Sequence, residues 1–172
     1  MYLKICGSIM IIAASAFIGY MYGERTKREI DIMKSLLRCI KTIESEIRYA
    51  GTPVKEIFRL IAGTGELWSD FFGGVSDKLN DNGHERVTVI WDDVLSGNTV
   101  SRNMGSCDRR EFVRFFGGLG KSDMESELGR IKLYTEYIRG RIEALSKEEA
   151  DKVKLFRVLG VTAGLFITIL IL

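Results

Sequence analysis

The last fifteen residues, 158–172, carry no charge, and neither do the nineteen residues 5–23. All 23 acidic residues and 24 of the 25 basic ones fall between them, in residues 24–157, with Lys4 alone outside. An unpaired charge at the centre of a bilayer costs several kcal/mol, so this layout reads as a polar body held to a membrane at both ends. A span needs roughly 20 apolar residues to cross about 30 Å of hydrocarbon. Residues 1–23 meet that nearly unaided, with Tyr2 on one side and Tyr20 and Tyr22 on the other at headgroup level. Residues 158–172 reach only about 22 Å as a helix, so Val153, Leu155 and Phe156 extend the apolar length while Lys154 and Arg157 snorkel. A buried core helix is the other reading of this second segment. A cleaved signal peptide is the other reading of the first, with Lys4 as its basic start and Ala14, Ser15 and Ala16 as a small-residue cleavage pattern.

Basic residues near the ends give the orientation. Arg25, Lys27, Arg28, Lys152, Lys154 and Arg157 flank the inner sides, against Lys4 and the terminal amine outside. The positive-inside rule then puts residues 24–157 in the cytoplasm. That body balances 24 basic against 23 acidic residues, which leaves no electrostatic footprint for nucleic acid. Cys6, Cys39 and Cys107 share no metal or redox spacing, and free thiols fit a cytoplasmic body.

Helical periodicity runs through the body. Ile30, Met33, Leu37, Ile40, Ile43 and Ile47 recur at threes and fours with no breaker, so the first anchor and first helix read as one rod. Gly51, Thr52 and Pro53 read as a junction, with Gly51 as C-terminal cap, Thr52 as N-cap and Pro53 as first helical residue. Val54, Ile57, Phe58 and Ile61 line a second helix. Leu67, Trp68, Phe71, Phe72, Val75 and Leu79 line a third, interrupted by Gly73 and Gly74. Val87, Ile90, Trp91, Val94 and Leu95 line a fourth, although Val87 to Ile90 also hints at a strand. Residues 97–105 read as a loop. Asp108 with Glu111 reads as a capping box that opens a fifth helix through Phe112, Phe115 and Phe116, and Ser122 with Glu125 as a second box opening the last helix. Met124, Leu128, Ile131, Ile138, Ile142 and Leu145 keep a spacing of about 3.5, suited to coiled-coil-like packing. The expected fold is all-α, a helical bundle whose long terminal helices continue into two transmembrane anchors: residues 1–23, body 24–157, and residues 158–172.

Several motifs suggest chemistry that the spacing does not support. Gly120, Lys121 and Ser122 look like the end of a phosphate-binding loop, but the position that needs glycine is Phe115 and no buried strand precedes it. His84 is the only histidine and has no ligand-spaced neighbours. Asp92 and Asp93, like Glu148 and Glu149, are adjacent and point about 100° apart on a helix. Neither a nucleophile-and-base pair nor a cofactor site is expected. Within the anchors, Ser15, Gly19 and Gly23 form a small-residue stripe, and Gly160 with Gly164 a GxxxG pattern, through which helices approach closely in lipid.

Taken in order, these residues resemble the stage III sporulation protein AB family of endospore-forming bacteria. The likeness rests on Glu46 to Tyr49 with Thr52, Pro53 and Val54, then Trp91 with Leu95, then Phe115 to Gly120 with Ser122 and Asp123. Further along it rests on Ile131, Lys132 and Leu133, and on Leu159, Gly160, Gly164 and Leu165. Glu127 departs from the family pattern, which has Gln there. The resemblance implies a non-catalytic platform in the mother-cell membrane facing the forespore, similar to inner-membrane platforms of type II secretion and type IV pilus systems. It also implies a hexameric cytoplasmic secretion-type ATPase and other membrane channel components as partners. Arg110, Arg114, Lys121 and Asp123, around the turn at 117–123, are the expected docking face, because Arg110 and Arg114 stand one helical turn apart. A solvated turn capped by Ser122 reads the same residues without a partner. A membrane-anchored sensor and a membrane enzyme are the alternative functions.

Overall fold

The computed structural model describes the backbone of residues 2–81 and 87–171, and side chains from Glu24 onward except at 80–88, at 92 and at most positions beyond 155. Every regular element among them is helical: α1 Tyr2–Ser45 with a closing π-helical turn Glu46–Ala50, α2 Val54–Ala62, α3 Ser69–Asp81, α4 Val87–Gly97, α5 Thr99–Arg102, α6 Ser106–Gly118 and α7 Met124–Ile171. The all-α expectation therefore holds, and Val87 to Ile90 open a helix and not a strand. Both terminal helices are long, at 44 and 48 residues. No helix among the described residues is long and apolar enough to cross a membrane. The side chains of residues 1–23 and most of those in 158–172, on which the two expected anchors fall, lie outside the described residues. So do the surroundings of Ser15, Gly19, Gly23, Gly160 and Gly164.

The chain divides into two compact units. One joins Met1–Ile30 and Glu143–Leu172, where Lys27 Nζ stands 3.8 Å from Glu149 Oε1 and Thr26, Ile30 and Leu145 are buried. The other, Asp31–Ile142, holds the core and the candidate site.

In that second unit the rings of Phe58, Trp68, Phe71, Phe72, Trp91, Phe112 and Phe116 are all at most 2 % exposed. They come from α2, α3, α4, α6 and the turn before α3, because apolar residues three or four apart share one helix face. Trp68 stacks on Phe112 with centroids 5.1 Å apart, and Phe58 meets Trp91 edge-on at 5.3 Å. The Trp68 indole N–H also donates to Ile32 O at 3.2 Å, which ties α1 to this cluster. Gly73 and Gly74 do not interrupt α3. A Cβ there would meet Ala62 Cβ at 3.7 Å and Val94 Cγ1 at 3.5 Å, ordinary contact distances, so both glycines lie against neighbouring helices without a tight approach that excludes a side chain. Cys39 is buried, and burial pushes its thiol up to about 12, while Cys107 is exposed.

Two caps and one loop in this unit differ from the sequence expectation. Gly51 does close the first helix, at φ +61°, and donates its N–H to Glu46 O. Thr52, however, gives its hydroxyl to Glu46 Oε2 at 2.7 Å, and Pro53 is the N-cap of α2. Asp108 lies inside α6, whose N-cap is Gly105. Residues 97–105 contain the one-turn α5, capped by Asn98 Oδ1 accepting from Val100 N at 2.8 Å.

Candidate docking site

The α6 sequence places Phe112 and Phe116 one turn apart, and both are driven into the ring cluster by their apolar area. Phe115 lies beside them, stacked on Tyr134 of α7 at 4.2 Å and 11°. With that face fixed, the opposite face of α6 points outward. It forms a groove of about 710 Å³ lined by Arg109, Arg110, Val113, Arg114 and Gly117 among others. Arg110 and Arg114 are thus brought together, both exposed. The one ion pair of Arg114 among the described residues is with Glu111 Oε1, at 3.4 Å. Such an exposed pair contributes little, so both guanidinium groups are available to another molecule.

The other two expected site residues are turned to internal work. Lys121 Nζ donates to Gly117 O at 2.6 Å, and the lysine is drawn back over the end of α6. Asp123 is the N-cap of α7: its Oδ2 accepts from Ser126 N at 3.1 Å and its Oδ1 from Ser126 Oγ at 2.7 Å. Those bonds hold its carboxyl below the usual range. Ser122, expected as the cap, instead accepts from Arg130 Nη2 at 2.8 Å.

Two buried carboxylates order the junction of α6 with α7. Asp108, 1 % exposed, accepts from the Tyr137 hydroxyl at 2.6 Å and from Arg141 Nε at 2.9 Å. Burial, then the bond to Asp108, raises the Tyr137 phenol well above its ordinary range, so it stays a donor. Glu127, 3 % exposed, turns Oε1 toward the loop and accepts the backbone N–H groups of Gly120, Lys121 and Ser122 at 3.1, 3.2 and 3.1 Å. Arg130, one turn on, donates to Gly118 O and stands 3.8 Å from Glu127. A Cβ on Gly118 would collide with that guanidinium, and Gly120 sits at φ +80°. The N–H groups that resemble a phosphate cradle are therefore occupied by the chain's own carboxylate.

Sequence reasoning missed both carboxylates. Tyr137 and Arg141 lie four apart on one face of α7, a spacing suited to gripping a single partner, but nothing local names Asp108 as that partner. The glycines before Glu127 do signal a turn with free N–H groups. Among the described residues no three His, Cys, Asp or Glu side chains converge to hold a metal ion; His84 lies outside them.

These features define an all-helical protein in which one face of α6 is locked into a core and the other displays paired cations. The chain belongs to the stage III sporulation protein AB family, whose model matches residues 4–172. It is similar to stage III sporulation protein AB of Bacillus subtilis strain 168, with 25 % identity over 175 residues that cover 99 % of each chain. No solved structure matches it. The family is one of sporulation proteins.

Proposed function

We propose that this chain is a non-catalytic platform of a secretion-like channel between mother cell and forespore. In this reading residues 1–23 and 158–172 hold it in the mother-cell membrane facing the forespore. Residues 24–157 face the mother-cell cytoplasm, where the Arg110 and Arg114 face of α6 docks a hexameric secretion-type ATPase. Other channel components meet the membrane segments, through Ser15, Gly19 and Gly23 or Gly160 and Gly164. The observation that carries the docking role is the exposed arginine pair on a helix whose opposite face is fixed by Phe112 and Phe116. A rigid helix presenting two guanidinium groups in register is preorganised for carboxylates. The membrane assignment is supported by the charge-free ends and the basic residues inside them.

The test is affinity capture of the full-length chain from sporulating cells. The secretion-type ATPase should co-purify with the wild-type chain and be lost with the Arg110→Glu, Arg114→Glu double variant, while helicity and membrane level stay unchanged. Retention by the double variant excludes this face. A membrane-anchored sensor is the second reading, favoured by α7 running unbroken over 48 residues. A stable dimer of the full chain, indifferent to the ATPase, would support it.

A further inference from the structure

Arg114 borders a second cavity as well as the α6 groove. This cleft, of about 610 Å³, opens between α6 and α7. Its floor is a run of stacked rings: Phe115 on Tyr134, then Tyr134 on Tyr137 with centroids 6.0 Å apart and planes 11° apart. The Tyr137 hydroxyl is anchored to Asp108, so the floor is held from behind before anything binds. Leu133 stands on the rim at 69 % exposure. A leucine in water beside stacked rings is apolar area that association removes from solvent.

Charge limits what can fill the cleft. Arg114 and Arg130 line it, against Glu111 alone of opposite sign. Beyond Arg114 the α6 groove adds Arg109 and Arg110. Arg109 and Arg130 already make bonds within the chain, to Ser96 Oγ and to Gly118 O and Ser122 Oγ. Arg114 makes only an exposed contact to Glu111 Oε1 at 3.4 Å, which leaves the rest of its guanidinium to solvent, so it and Arg110 are the groups with donors to offer. A purely apolar segment would desolvate guanidinium groups without pairing them, which is unfavourable. A purely acidic one would leave Leu133 and the ring edges wet.

We infer that the α6–α7 cleft receives an apolar side chain from an acidic segment of the docking partner, whose carboxylates lie on Arg110 and Arg114. Only the identity of that partner rests on the function proposed above; the chemistry rests on the cleft. Arginine and tyrosine around a preformed apolar pocket are the residue types that concentrate binding energy at interfaces. An amphipathic helix supplies an apolar anchor and flanking carboxylates at the required one-turn spacing.

The probe is a fluorescein-labelled amphipathic peptide with Leu anchors flanked by Glu one turn away, titrated onto the full chain in detergent micelles. Two controls replace every Glu by Lys or every Leu by Ser. The acidic, apolar peptide should bind the wild-type chain and weaken about tenfold or more with Arg114→Glu and with Leu133→Asp. Leu133 is exposed, so its variant should keep wild-type helicity and melting. Equal binding of the Lys peptide, or unchanged binding by both variants, overturns the inference. A parallel titration with the purified ATPase separates the two proposals. An ATPase that binds wild type and Leu133→Asp alike, yet fails on Arg110→Glu with Arg114→Glu, overturns the cleft and keeps the docking face. Failure of the ATPase on the wild-type chain, with the acidic peptide still bound, overturns the ATPase and keeps the cleft.

Discussion

The ring cluster of Phe58, Trp68, Phe71, Phe72, Trp91, Phe112 and Phe116 and the junction of α6 with α7 are both closed to water, by opposite means. The first is closed by volume: rings in stacked and edge-on contact, with Trp91 Nε1 buried and without a partner. The second is closed around charge: both oxygens of buried Asp108 are met by directed donors, and Oε1 of buried Glu127 by three, while its Oε2, like Trp91 Nε1, has no hydrogen-bond partner among the described residues. Ring packing holds the short helices together through filled volume, without a bond that points at one atom. Hydrogen bonds to a buried carboxylate fail within a few tenths of an ångström, so they fix the loop and the register of α7. The proposed docking face lies on α6, which belongs to both regions.

The comparison predicts that the ring cluster carries the larger share of stability. Trp68→Ala removes contacts to Phe71, Phe72 and Phe112 and the bond to Ile32 O. It should cost about 3–5 kcal/mol in urea denaturation. Asp108→Ala should cost less, about 2–3 kcal/mol, because Arg141 is a third exposed and regains water, whereas the Tyr137 hydroxyl loses its acceptor in a partly buried site. A larger loss from Asp108→Ala than from Trp68→Ala would reverse the ranking and make the junction the main source of stability.

The two regions were unequally legible in the sequence. Ile57, Phe58 and Ile61, or Phe112 and Phe116, announce themselves by periodicity, since each helix must bury its own apolar face whatever it packs against. Gly51 was legible as a helix stop for a similarly local reason. Asp108 was misread as a cap because Asp near a helix start has two uses, and choosing between them requires Tyr137 and Arg141, about thirty residues on. Ser122 and Asp123 competed for one cap, and Arg130, eight residues after Ser122, removed Ser122 from the contest. Of the residues expected to dock a partner, Arg110 and Arg114 are paired as helical spacing predicts. The withdrawal of Lys121 onto Gly117 O depends on the path of the loop, which local sequence does not specify.

Glu127 sharpens the contrast at smaller amplitude. Glu127→Gln preserves an oxygen for the N–H groups of Gly120, Lys121 and Ser122 but removes the charge, and should cost about 1 kcal/mol or less. Glu127→Ala removes the acceptor as well, and should cost about 1–2 kcal/mol because those loop residues are exposed and water can take its place. Amide exchange at these positions is the direct measurement. Protection should fall clearly in the Ala variant and only slightly in the Gln variant. Equal loss in both would mean that charge, and not geometry, orders the loop.

The smallest expected effect is at Glu66, where the ring cluster meets α1 through an exposed polar tie. Arg38 Nη2 donates to Glu66 Oε2 at 2.6 Å and its Nε to Oε1 at 3.2 Å, while Ser35 Oγ donates to Oε2 at 3.0 Å. The Arg38 bonds first, and the Ser35 bond next, hold the Glu66 carboxyl below the usual glutamate range. A depressed folded-state value means that the folded protein binds this proton less readily than the unfolded chain. The contribution is therefore complete above the ordinary glutamate value and is lost as pH falls through the lower folded one. Glu66→Gln should accordingly lie below wild type at neutral pH and converge with it in acid. Added salt should narrow the neutral gap, because the pair faces solvent. Melting curves of both proteins across the acid limb, at low and high salt, measure this. A gap that persists unchanged in acid would mean that Glu66 holds α1 by shape and not by charge, and the exposed tie would then behave like the ring cluster beside it.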